Sequence, residues 1–307
     1  MSVDASAAAP SVVNLRARDL CQSGRSREAR DLLSGALPFI ERRGDRAALR
    51  QALNLLGAAS FETGQLPDAE AAFDRALELG RTDGDDALVA KATNNLGAIA
   101  NVRGERERAL AMYSLAVAAY QRLGQAFGLA AAYHNMAITF RHIGLLERAD
   151  DYERRAIEFA LEADDARLLS LARIGRAELC LLRGDARLAE ATALLVAREF
   201  ASRTEPTQQA NALRVAGAAR TALGDLDGAR RLLDEGLKLA RDYGAALVEA
   251  ELLRARAELS CWRHERLTAR QDATAAIRIF ESLDAREDGE RLSRWLAAVE
   301  ADPDGDC

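Results

Sequence analysis

Small apolar residues return at the same points of this chain every forty residues, in blocks separated by short polar breakers. Glycine stands at Gly24, Gly64, Gly104, Gly144, Gly184 and Gly224, and His264 fills the seventh slot. Five residues further on comes alanine each time, at Ala29, Ala69, Ala109, Ala149, Ala189, Ala229 and Ala269. A third column, seven before the glycine, reads Ala17, Gly57, Gly97, Ala137, Ala177, Gly217 and Ala257. A fourth, twelve after it, reads Ala36, Ala76, Ala116, Ala156, Val196, Gly236 and Ala276. Two antiparallel helices approach to about 8 Å only where small side chains meet at their crossing. Each block therefore predicts a helix A, a tight turn at the glycine and a helix B, as in residues 49–63, Gly64 and residues 67–79. Glycine supplies the left-handed conformation that closes helix A, and Pro67 suits the first turn of helix B, where its missing N–H is not needed. His264 is a tolerable replacement, because His is enriched among non-glycine residues at positive φ.

Polar breakers at residues 81–86, 203–206 and 242–244 separate the units. The register predicts an all-α, right-handed superhelical solenoid with seven repeats over residues 11–284. Residues 285–300 place Leu292, Trp295, Leu296 and Val299 on one helical face and predict a capping helix. Ser34, Gly35 and Pro38 are expected to kink or shorten helix B of the first repeat. Residues 1–10 and the acidic residues 301–307 are expected to be disordered.

Leu56-Gly57, Gly64, Ala69, Phe73 and Ala76, with Leu96-Gly97, Gly104, Ala109, Tyr113 and Ala116, resemble the tetratricopeptide pattern of L-G followed by A-x₃-F. The period is forty instead of 34, and the proline that closes many repeats is missing. This long form is similar to repeats in kinesin light chains, spindle-orienting adaptors and bacterial peptide-sensing regulators. HEAT and armadillo units share the length but lack this glycine and alanine register. The resemblance implies a protein-interaction scaffold that binds a peptide or partner segment in a concave groove. Its alternative is a regulator that senses a small peptide and controls a transcription factor or phosphatase output.

Composition narrows the field. Aromatic residues make up only 5% of the chain and there are five prolines, so little could build a sheet. A net charge of -6 gives no general pull toward nucleic acid or anionic lipid, and no run approaches a membrane span. The start lacks the features of a secretory signal, and Cys21, Cys180, Cys261 and Cys307 form no C-x-x-C pair, which predicts free thiols and a cytoplasmic protein. Phosphate-loop, nucleophile-elbow and dinucleotide motifs are absent, and Thr268 stands where a zinc H-E-x-x-H motif beginning at His264 needs its second histidine. No enzyme activity, metal or cofactor is expected.

The conspicuous polar feature is asparagine inside helices, where its amide competes with the backbone. Asn95 and Asn135 share the column nine before the glycine. Asn54, Asn94, His134, Arg214 and Arg254 share the column ten before it, which Asn14 begins and Ile174 interrupts. In the resembling family these columns face the groove and hold the backbone of an extended peptide, and the competing reading is an internal amide network. Lys91, Asn101, Arg141 and His142 neighbour the stripe, and their local positive charge favours a ligand with acidic residues. Phe61 and Trp262 are candidates for apolar pockets. Taken by spacing alone, His134 and His142 read as surface groups, and Glu251, Arg254 and Glu258 as a solvated ion-pair face.

Overall fold

The computed structural model describes residues 9–301, which form fifteen α-helices and no strand. They are α1 (Pro10–Gln22), α2 (Ser26–Arg42), α3 (Arg46–Glu62), α4 (Leu66–Asp83), α5 (Asp86–Val102), α6 (Arg106–Leu123), α7 (Ala126–His142) and α8 (Leu146–Glu162). There follow α9 (Ala166–Leu182), α10 (Ala186–Ser202), α11 (Pro206–Ala222), α12 (Leu226–Tyr243), α13 (Ala246–Trp262), α14 (Arg266–Ser282) and α15 (Arg286–Ala301). Odd-numbered helices through α13 are the A helices, even-numbered ones the B helices, and α15 sits on α14 at the end of the array. Each A helix also packs on the A helix of the next pair, so the A helices form the inner layer of a superhelical solenoid. No described helix is long and apolar enough to cross a membrane.

The small columns lie at the crossings. All seven alanines of the column beginning at Ala29 are completely buried. The glycines seven positions before the turn make room for the large residue of helix B: a Cβ at Gly57 would lie 2.5 Å from the Phe73 ring, and one at Gly97 2.7 Å from Tyr113. Gly217 stands against Leu233 in the same way, at 2.6 Å. These three pairs thus lock by seating one bulky side chain in a notch cut by the absence of another. Changing Ala109 to Leu should overfill such a crossing and destabilise the protein by about 1 to 3 kcal/mol. An unchanged denaturation midpoint would overturn that.

The turns inside pairs and the turns between pairs have one geometry. At Gly64 the N–H of Gln65 reaches back to the Ser60 carbonyl at 2.8 Å, and at Gly84 the N–H of Asp85 reaches the Gly80 carbonyl at 2.8 Å. Positive φ recurs in both series, at Gly24 to Gly224 and His264, and again at Gly44, Gly84, Gly124, Asp164, Thr204, Gly244 and Asp284. The Schellman closure therefore repeats every twenty residues, not only at the glycine series evident in the sequence. Aspartates after several of these turns cap the following helix; Asp45 and Asp85 each accept the N–H three residues on at 3.0 Å.

Three expectations need correction or placement. α2 runs unbroken through Gly35 and Pro38 for 17 residues, within one residue of every other B helix, so neither residue shortens it. Cys21 and Cys180 are free thiols, but Cys261 is disulfide-bonded. Helix α1 already includes Pro10, with Ala9 as its N-cap, and α15 includes Ala301; the rest of the expected disordered ends lies outside the described residues.

The solenoid also meets itself. Gly24 lies against Pro206 and Tyr243, Gly64 against Ala246 and Leu283, and Gly104 against Glu287. Arg106 is buried and pairs with Glu287 at 2.7 Å, 181 residues away, while Arg103 approaches Asp284 at 3.7 Å. Leu66 belongs to the same apolar cluster as Leu237, Leu253 and Leu283. The turns of the first three pairs thus rest on those of the last three, and the coil closes around its interior.

Candidate ligand chamber

Closure frames a partly open chamber of about 310 Å³ lined by A helices of the second to seventh pairs together with Tyr113 of α6 and Asp288 of α15. Its wall is mixed. Phe61, Val102, Ile138, Leu171, Ile174 and Val248 supply apolar surface, and Asn101, His134, Asn135, Arg141, His142, Glu178, Asn211, Arg214 and Glu251 supply polar groups. Helical spacing explains the convergence: His134, Ile138 and Arg141 lie four and three apart on α7, as Leu171, Gly175 and Glu178 do on α9.

The charged groups pair across helices. Glu178 binds Arg141 at 2.5 Å and also Arg214, whose Nε donates to Asn211 at 2.9 Å and lies 3.0 Å from Glu251. Although burial alone raises a carboxyl pKa, the two guanidiniums prevail and hold Glu178 down at about 2. His142 shows the opposite balance. Burial, followed by the Arg141 and Arg106 charges, lowers it to about 2, so its ring is neutral, and its buried Nδ1 makes no hydrogen bond.

Behind His134 stands Glu153, in the column that carries Phe73, Tyr113 and Leu233 in other pairs. It is completely buried, with both carboxyl oxygens 3.0 Å from His134 Nδ1. Burial raises its pKa despite the histidine. Gly175 creates the space, since a Cβ there would collide with Glu153 Oε1. An acid in an otherwise apolar column was visible in the sequence but was not singled out.

The candidate stripe divides. His134, Asn135, Arg141, His142, Asn101 and Arg214 converge on the chamber, so the histidines are not outer-surface groups. Asn135 Nδ2 donates to Asn94 Oδ1 at 3.3 Å, and Asn101 Oδ1 accepts from Thr139 and Arg106, both at 2.8 Å; these amides serve an internal network. Asn54 and Lys91 line a separate hollow with Arg18 and Arg50, where desolvation, then Arg18, lowers the Lys91 pKa although the side chain remains solvent-exposed. Asn95 and Arg254 are half-buried and do not line the chamber. Glu251, read as part of a solvated face, points inward to Arg214. Phe61 lines the chamber, whereas Trp262 is exposed on an outer edge.

The profile of the tetratricopeptide repeat family matches residues 8–82 and 88–162. No curated protein is significantly similar in sequence. Among solved structures, the chain is similar to a Rap protein complexed with competence and sporulation factor: TM-score 0.62, 13% identity, 96% of this chain and 98% of that one. It is similar as well to the Rap conjugation gene regulator of plasmid pLS20 in complex with the Phr* peptide: TM-score 0.61, 12% identity, 94% and 96%. The Cut9–Hcn1 hetero-tetramer of the APC/C gives a TM-score of 0.55 at 14% identity, covering 91% of this chain and 55% of that one. At such identities the likeness is one of fold. With the family profile over the first four pairs and the forty-residue register carried on through the remaining three, the chain is a protein of tandem tetratricopeptide repeats.

Proposed function

We propose that this protein holds a short, extended peptide segment in its central chamber. The supporting observation is the chamber itself, a partly open space whose apolar wall is interspersed with donors and acceptors on rigid helices. An extended peptide presents one backbone donor and one acceptor per residue. Asn135, Asn211 and neutral His142 can meet both kinds. An acidic ligand group, expected from the local positive charge, has to compete with Glu178 for Arg141, and with Glu178 and Glu251 for Arg214. The reading therefore assigns affinity to amide and apolar contacts.

Ile138→Trp is designed to fill the chamber. Peptides selected from a random library on the whole protein should bind this variant at least about tenfold more weakly by calorimetry, with its melting temperature little changed. Equal affinity would put the binding surface elsewhere. The regulatory reading has its own support in the end-to-end match to the two Rap structures, one of them in complex with the Phr* peptide. Small-angle scattering separates the two: a selected peptide that alters the overall dimensions favours sensing, and one that leaves them unchanged favours passive holding.

A further inference from the structure

Closure uses one kind of edge against another, and each kind is left over at the far end. Turns within the first three pairs, at Gly24, Gly64 and Gly104, lie against the between-pair turns at Pro206, Tyr243, Ala246, Leu283 and Glu287. The next three within-pair glycines, Gly144, Gly184 and Gly224, have nothing within 4 Å of where a Cβ would be, and the same holds for the first three between-pair glycines, Gly44, Gly84 and Gly124. One superhelical turn has been completed, and the two edges that would continue it are open.

Both open edges carry apolar side chains. Ile143, Leu145, Leu182, Leu223 and Trp262 flank the within-pair turns of the fourth to seventh pairs, with Leu182 and Trp262 each 58% exposed. Leu123, Phe127 and Leu161 flank the between-pair turns of the third and fourth pairs. Position decides exposure: Leu283, just before its turn residue, is 3% exposed where the coil overlaps, whereas Leu123, in the same column, is 39% exposed where it does not.

We propose that the open within-pair edge of one molecule receives the open between-pair edge of a second copy of this chain, repeating between molecules the contact that closes each one. Such an interface is heterologous, so stacking continues into an open-ended array. The occupant follows from continuity with the overlap inside the molecule, which already mates these two edges.

Sedimentation velocity on the full chain tests this with two surface variants, Leu182→Glu/Trp262→Glu on one edge and Phe127→Glu/Leu161→Glu on the other. The wild type should gain mass with concentration beyond a dimer. Each variant alone should associate about 10- to 100-fold more weakly, from losing two large apolar contacts, with an unchanged thermal melt. Mixed in equal amounts, the two variants should form a dimer and stop there, because each keeps the edge the other lacks. A wild type that stays monomeric overturns the proposal and leaves the edges to a different protein. Variants that assemble like the wild type, or a mixture that fails to dimerise while the wild type assembles, overturn the pairing of these edges.

Discussion

Replacing Glu178 by Ala should lower the unfolding free energy by about 3 to 5 kcal/mol, because it strands buried charge. Arg141 would lose its ion-pair partner, and Arg214 would retain Glu251 and the Asn211 amide. Glu178→Gln, of nearly the same shape, should recover little, since the guanidiniums require a carboxylate. Glu251→Ala should cost far less, because Arg214 still holds Glu178. Urea denaturation of the three variants provides the test, and similar losses for Glu178→Ala and Glu251→Ala would contradict the central place given to Glu178. The depressed pKa of Glu178 adds a pH signature. Its stabilisation is complete above the ordinary glutamate value and is lost as pH falls from there toward about 2.

Mild acid should act earlier, through His142. Its folded pKa lies near 2, while in the unfolded chain an imidazole takes up a proton below its usual value of 6.5. The unfolded state therefore binds the extra proton, and stability falls with pH throughout that window. From about pH 7 to about pH 5 the loss from this residue comes to about 2 kcal/mol, at about 1.4 kcal/mol per unit once the unfolded ring is fully titrating. Glu153 works in the opposite direction: its raised pKa lets the folded state take up a proton before the unfolded state does, which restores some stability. His142→Gln should abolish the histidine contribution. If the wild type and His142→Gln lose equal stability over that range, the ring is not held neutral by burial.

What the sequence made legible was the part of the fold fixed by close approach. A residue at a helix crossing can be read from one chain because size alone is constrained there, and the column from Ala29 to Ala269 is buried without exception. The second series of left-handed turns was less plain, because Asp164, Thr204 and Asp284 take positions that glycine holds elsewhere. Closure was not legible at all. Superhelical pitch accumulates from a small rotation at each pair, and no single residue encodes the sum. The candidate stripe lies inside helices, but its chemistry depends on partners from other columns: Glu178 on α9 and Glu251 on α13 take up the charge of Arg141 and Arg214. Glu153 and Gly175 illustrate the same limit, since an acid and a missing side chain acquire meaning only when set together.

The contact of Arg106 with Glu287 bears on the birth of the molecule as well as its shape. Repeat arrays in general can fold progressively from the ribosome, because each unit needs only its neighbour. Here Arg106 is made 181 residues before its companion Glu287, and Leu66 long before Leu283. During synthesis the first three pairs must therefore wait with an apolar side chain and a cation uncovered, and the chamber is complete only once α15 has been made. A ribosome stalled before α11 should hold an open, protease-sensitive coil, because the turns that meet Gly24, Gly64 and Gly104 all come from α11 onward.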